Sequence, residues 1–348
     1  MVAAAVAASA QSVADLNETG WKLLEQGEVD RAAKIFADAL AQRPDEPVLL
    51  VGAAVAANQR GEGDQARRRL QRALEVNPRF TPASLLLGEL LYKEGDLDRA
   101  ISTYEAALKY SARNPELTAR LTVWRAEADV HSTFVERRQD RFRVLFEGRT
   151  DASLGAMATD VLSDAFWRIG QELGSYPSDP VRVILYSAKQ FSDITRAPAW
   201  SGGLYDGQIR VPIAGAAQSP QLFEHVLSHE LTHAMVTAIA PRGVPAWLHE
   251  GLAQHFDGTS VAAARKRLHL QRRRIPLEQL EGGFNTLTTA GAVIAYDESL
   301  LAVNAILARR GDLTWTQLLY GFAGGGSPRQ TLANFGFDYA ELEASFDK

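Results

Sequence analysis

The sequence predicts a multidomain chain: an all-α solenoid of repeated helix pairs, followed by an α+β domain. Three observations carry this. Positions 34 residues apart keep their character through the first third, a strand–helix–strand order begins at Phe142, and a long apolar helix then carries His229-Glu230-Leu231-Thr232-His233.

The period is read from the small and the large residues. Gly27, Gly61 and Gly95 recur, as do Ala32, Ala66 and Ala100; Ala39, Ala73 and Ala107; and Gly20, Ala54 and Gly88. A large residue follows each first alanine after four positions, at Phe36, Leu70 and Tyr104, and Pro44 and Pro78 close two copies, with Ala112 in the third. Small residues where paired helices cross, at this period, resemble tetratricopeptide repeats. Three copies over 13–114 suffice for a stacked core. The resemblance implies a concave surface for a protein or peptide partner; a spacer that packs on its neighbour is the alternative. Glu116 to Val130 reads as a capping helix, and the charged Phe134 to Asp140, with no clear period, as a connector, so that 115–140 joins the two parts.

Phe142 to Gly148 alternates as a strand, Leu154 to Leu173 as a helix, and Val181 to Tyr186 as a second strand. Gly202 to Gly207 reads as a turn, and Gln208 to Val211 as an edge strand ending at Pro212. The next helix spans Gln221 to Ile239, apolar at Leu222, Val226, Leu227, Leu231, Met235 and Val236 and free of Pro and Gly.

On that helix His229 and His233, four apart, share one face and can hold one metal, while Glu230 points beside it and can take a proton from water. A tetrahedral catalytic ion needs a third protein ligand. Pro241 to Pro245 reads as a turn and Ala246 to Phe256 as a returning helix, which brings back Glu250, 17 residues after His233 (250 − 233).

Trp247-Leu248-His249-Glu250-Gly251-Leu252-Ala253 resembles the W-L-N-E-G-x-A segment of gluzincin metallopeptidases and the related peptidase MA-like domains. The resemblance implies an α+β zincin-like metallopeptidase domain over 141–348, following the all-α tetratricopeptide-repeat solenoid. It also implies Zn2+ held by His229, His233 and Glu250, with Glu230 as general base. Tyr296, before an apolar run, is similar to a tyrosine in such domains and is the candidate donor to the oxyanion; it reads as a helix start, and half-buried aromatic packing is the other reading. His249 stands where aminopeptidases carry Asn. Gln254 stands where thermolysin-like members place an acid beside a ligand histidine, which implies weaker zinc binding. His225 and His255 read as supporting or surface residues. Gly155-Ala156-Met157 lacks the Glu-Asn of G-x-M-E-N, so an aminopeptidase grip on a free amino terminus is not supported.

Composition bounds the rest. The 348 residues, 46% hydrophobic, can fill two cores; a net charge of −5 argues against nucleic acid as a partner, and no cysteine is present for disulfide or thiolate chemistry. No run reaches the ~18 uncharged apolar residues of a membrane span. Arg265-Lys266-Arg267 and Arg272-Arg273-Arg274 read as a solvated face, a carboxylate-binding wall being the alternative. Residues 1–12 form an apolar N-terminal segment in which Ala8-Ser9-Ala10 resembles a signal cleavage site, so an exported or periplasmic location is favoured over a cytoplasmic one.

The function expected is zinc-dependent hydrolysis of a peptide bond in a peptide or protein substrate, with a protein partner on the repeats. A weak or inactive zinc-binding repeat protein acting as an interaction module is the alternative. A histidine cluster with a structural role alone would hold no stoichiometric metal.

Overall fold

A computed structural model describes residues 12–148, 152–197, 202–271, 274–311 and 313–346. The Ala8-Ser9-Ala10 segment lies outside them, as do Arg272 and Arg273. The chain divides into two compact units, Met1–Tyr92 with Asp98–Leu121, and Lys93–Leu97 with Thr122–Lys348.

Six helices alternate through the repeats: α1 (Val13–Glu25), α2 (Val29–Gln42), α3 (Pro47–Gln59), α4 (Gly63–Val76), α5 (Thr81–Lys93) and α6 (Leu97–Leu108). Each pair turns on a glycine with positive φ, Gly27 (75°), Gly61 (78°) and Gly95 (82°), a conformation that costs any residue with a Cβ. The period also has a packing cause. A Cβ on Gly20 would stand 2.4 Å from the Phe36 ring, and one on Gly88 would stand 2.1 Å from Tyr104. In the middle copy the large residue is Leu70 and the small one is Ala54, both buried. At this repeat position glycine stands only in the two copies whose facing residue is aromatic. The helix α7 (Pro115–His131) follows, one residue longer at each end than the sequence predicts.

The second unit opens on β1 (Phe134–Gln139), which corrects the expected connector. It pairs antiparallel with β2 (Phe142–Glu147) through a turn at Asp140, where φ is 51°. The strand was hidden because it is a charged edge with four successive exposed residues, so no period-2 pattern arises, and such charge protects an open edge. Next come α8 (Ala152–Leu173), β3 (Val181–Tyr186), α9 (Ala188–Thr195), β4 (Leu204–Tyr205) and β5 (Ile209–Pro212). The strand order is β1-β2-β3-β5-β4, with β2, β3 and β5 parallel. The edge is therefore β4, antiparallel to β5, and not β5 itself as the sequence reading has it.

Alternation assigns the two sheet faces. Val144, Val183, Leu185, Ile209 and Val211 join the large core formed with α8 and the helices that follow, whereas Leu145, Ile184 and Tyr186 pack with Phe191 of α9. Arg210, on this second face of β5, is fully buried and donates to Glu127 Oε1 at 2.5 Å and to the Tyr186 hydroxyl at 3.0 Å.

The remaining helices are α10 (Pro220–Ile239), α11 (Ala246–Asp257), α12 (Val261–Leu270), α13 (Thr289–Arg309), α14 (Trp315–Ala323), α15 (Pro328–Asn334) and α16 (Tyr339–Glu343). Thr288 caps α13, so Tyr296 lies two turns inside the helix and not at its start. By length and composition α13 could cross a membrane, with mean hydropathy 1.4, but 67% of that stretch is buried within the fold. Asp297 and Glu298 interrupt its apolar character. Arg267 donates to Asp297 from two nitrogens, Nε at 2.9 Å, while its own side chain stays exposed, in keeping with the solvated-face reading for that residue. Glu298 accepts the Ile275 N–H at 3.1 Å.

Two measurements test this packing. Gly88→Ala gains up to ~1 kcal/mol of helix propensity but forces the Tyr104 ring aside, which costs about 1–3 kcal/mol; net destabilisation in a denaturant titration is expected. Burial, partly opposed by the Ile275 N–H and Arg274, lifts the Glu298 carboxyl to about 7. Because the folded value is raised, this group's stabilisation is complete below its unfolded value of ~4.3 and is lost as pH rises through 7. Glu298→Gln removes that loss, at most about 3 kcal/mol between pH 4 and 8, and urea midpoints compared across this range should lose the corresponding slope.

Candidate metal centre

Two helices and the turn between them build the site. Pro220 at the first turn suits the start of α10, and its apolar residues Phe223, Leu227, Leu231, Met235 and Ile239 are buried in the core, which fixes the rotation of the helix. The reversal passes through Gly243 at φ 79°, where a Cβ would meet the Phe322 carbonyl oxygen at 2.2 Å. The returning helix, α11, begins after Pro245 and ends at Gly258 with φ 87°. Gly251 allows α13 to approach, since a Cβ there would lie 2.3 Å from the Ser299 carbonyl oxygen.

This arrangement brings His229, His233 and Glu250 together, with one ligand atom from each within 4.8 Å of the others. His229 Nε2 is 3.5 Å and His233 Nε2 3.6 Å from Glu250 Oε2. Those separations are too long for good hydrogen bonds, and Glu250 Oε2 is buried with no hydrogen-bond partner among the described residues. They match a shared ion: two donors bound at ~2.1 Å with a tetrahedral angle stand about 3.4 Å apart. Two imidazoles and a carboxylate are also a donor set that zinc accepts.

The partner that orients His229 is Asp257, not Gln254. Asp257 Oδ2 lies 2.8 Å from His229 Nδ1, and its other oxygen accepts the Thr259 N–H and hydroxyl at 2.8 and 2.6 Å. With Nδ1 held by the carboxylate, Nε2 is the ring atom turned to the centre. Gln254 instead donates to the Tyr296 carbonyl at 2.7 Å and ties α11 to α13. Asp257 lies seven positions after Glu250, two helical turns on and on the same face, a spacing that was open to the sequence reading. His225 Nε2 also approaches Asp257 Oδ2, at 3.4 Å, and His255 pairs with Glu172 at 2.9 Å.

Charge at the centre is strongly coupled. Burial opposes ionisation of Glu250, yet the His233 and His229 rings hold its carboxyl far below the usual carboxylate range. Burial likewise opposes protonation of His229, while Asp257 and Glu250 lift it to about 10. For Glu230, burial raises the carboxyl; the two histidines oppose this and Glu250 adds to it. His249 remains neutral, pushed down to about 4 by burial and by His233.

A cavity of about 1090 Å³ opens over these residues. Its walls follow α10 from Leu222 to Thr237, include Gly202 to Tyr205 at the sheet edge, and close with Phe284 and Tyr296. Gly203 lies against the base: a Cβ there would meet Glu230 Oε1 at 2.7 Å. Tyr296 packs edge-on to Phe284, with ring centroids 5.4 Å apart, and its hydroxyl has no protein hydrogen-bond partner among the described residues. Burial, then the Glu250 and Glu230 charges, push its phenol above the ordinary value, so it keeps its proton.

A Peptidase MA superfamily model matches residues 161–348, more than half of the chain, and therefore all of the residues just described. The chain belongs to the Peptidase MA superfamily. Ahead of the peptidase MA domain, tetratricopeptide repeat models match residues 23–90 and 83–117. The chain is 32% identical over 130 residues to Protein CTR9 homolog of Arabidopsis thaliana, which covers 37% of this chain and 12% of that protein. It is also similar to a solved structure, the first TPR of Spaghetti (RPAP3) bound to HSP90 peptide SRMEEVD. That likeness is 25% identical with TM-score 0.31, over 33% of this chain and 93% of that one.

Within the peptidase MA domain, Asp257→Asn leaves the three donor atoms in place but removes the carboxylate behind His229. Divalent metal affinity is expected to fall 10–100-fold, as read by chelator competition; unchanged affinity would show that Asp257 does not tune the centre.

Proposed function

We propose that this chain is a zinc-dependent peptidase that hydrolyses a peptide bond in an extended substrate, and that its repeats bind a protein or peptide. The convergence of His229, His233 and the unpartnered Glu250 Oε2, with the Glu230 carboxylate beside them, is the observation that carries this reading. Bound there, zinc would supply Lewis acidity and draw the pKa of a water toward ~7.

The remaining steps belong to the protein's own groups. Glu230 takes a proton from the attacking water and delivers it to the leaving amine nitrogen; its raised proton affinity brings it nearer to the working pH of a general base. Tyr296, protonated and with a free hydroxyl, donates to the oxygen on which charge develops. The cleft follows α10 for the sixteen positions from Leu222 to Thr237, which is ~22 Å of helix and room for roughly six or seven extended residues. The two-residue strand β4 offers its main chain to such a substrate, the way an open sheet edge recognises an extended peptide.

Metal content and cleavage test the proposal together. Purified protein should hold about one zinc per chain, His229→Ala should lose it, and Glu230→Gln should keep it while kcat/KM on a cleaved peptide falls 10²–10⁴-fold. Full activity in Glu230→Gln, or a metal-free wild type, would overturn this mechanism.

A further inference from the structure

The two ends of the cleft differ in chemistry. At one end the tail of α9 meets the first turns of α10, with Arg196, Leu222 and Val226 on the wall. At the other, past Glu250, the wall is Val244, Phe284 and Leu287, and a single carboxylate, Glu281, stands among them.

Glu281 is held from two sides. Its carbonyl accepts the Ala246 N–H at 2.9 Å, and its Oε1 accepts the Tyr339 hydroxyl at 2.6 Å. Ala246 precedes Glu250 by one turn of α11, ~6 Å along the axis, so the Glu281 main chain is anchored one helical turn from the Glu250 backbone. No lysine or arginine pairs with it among the described residues, and Oε2 carries no bond. A carboxylate anchored by the Tyr339 hydroxyl, with no ion pair among the described residues, thus lines a cavity wide enough for a peptide, beside Val244, Phe284 and Leu287. Apolar walls ending in a carboxylate match a methylene stem ending in a cation.

We propose that Glu281 is a specificity residue that selects substrates with a lysine or arginine side chain at one fixed position beside the cleaved bond. The stem packs against Val244, Phe284 and Leu287, and the cation meets Glu281 Oε2. The inference rests on the peptidase reading above and adds a substrate class to it. A free α-ammonium would bring the same charge but no stem to cover the apolar wall.

Acetylated peptides carrying lysine or uncharged, similarly long norleucine at each position in turn provide the test, each compared with its free-amine form, on zinc-loaded wild type, Glu281→Gln and Glu281→Arg. Lysine should be preferred at one position in acetylated and free peptides alike. In Glu281→Gln, whose amide oxygen can keep the Tyr339 hydrogen bond, the lysine-to-norleucine ratio of kcat/KM should fall about 10- to 100-fold, and Glu281→Arg should favour glutamate there. An unchanged ratio in Glu281→Gln, or a basic preference confined to free-amine peptides, overturns the assignment. Binding of the same pairs to Glu230→Gln reads the ratio without cleavage, so a wild type that cleaves nothing counts against the peptidase reading, and equal binding of lysine and norleucine counts against Glu281.

Discussion

A buried carboxylate oxygen with no hydrogen bond is the constraint on which the second unit depends. Glu250 Oε2 lies between two imidazoles, each too far away to satisfy it. Ionised groups are rarely left so in a protein interior, because the desolvation penalty runs to several kcal/mol. The surrounding features keep the oxygen where it is. Gly243 permits the reversal that returns α11, Gly251 lets α13 close on it, and Asp257 turns the His229 ring so that Nε2 faces the same point. Each is a local cost, a positive φ at Gly243, a glycine inside a helix at Gly251 and a buried charge at Asp257, that a cation at this point would offset.

Much of this is legible in the sequence because helical periodicity and motif spacing are local properties. The spans of α8, α10 and α11 agree with the expected ones to within two residues at each end, and β3 agrees at both. The repeat period is equally plain, since its cause is a contact between residues 16 positions apart, Gly20 with Phe36 and Gly88 with Tyr104. What the sequence hides is whatever depends on partners distant along the chain. The charged β1 becomes a strand by pairing with β2, and Gln208 to Val211 turns from edge to interior because β4 folds back on it. The first turns of α13, Thr289-Ala290-Gly291-Ala292, carry little periodic signal, so the pattern marks the helix only from Tyr296 on.

At the site, Asp257 and Gln254 show the same divide. Both lie on the Glu250 face of α11, Gln254 four and Asp257 seven positions on, and the family resemblance points to the nearer. Which of them reaches a histidine is decided by the crossing of α10, and which reaches α13 is decided by the Tyr296 carbonyl. Arg210 is a comparable case on the other sheet face. A lone arginine in a short strand gives no hint of the buried carboxylate, 83 positions earlier, that neutralises it.

The contact at Gly251 carries a mechanical consequence. Because α11 and α13 meet backbone to backbone there, and Gln254 ties the two again at Tyr296, the Glu250 carboxylate and the Tyr296 ring ride on a single stiff body. The main-chain positions from which they project are thus fixed relative to each other. The opposite lip of the cleft is a two-residue ribbon, Leu204 and Tyr205, joined to the sheet along one side only. Of the two lips, the one bearing Glu250 and Tyr296 is therefore the more heavily braced.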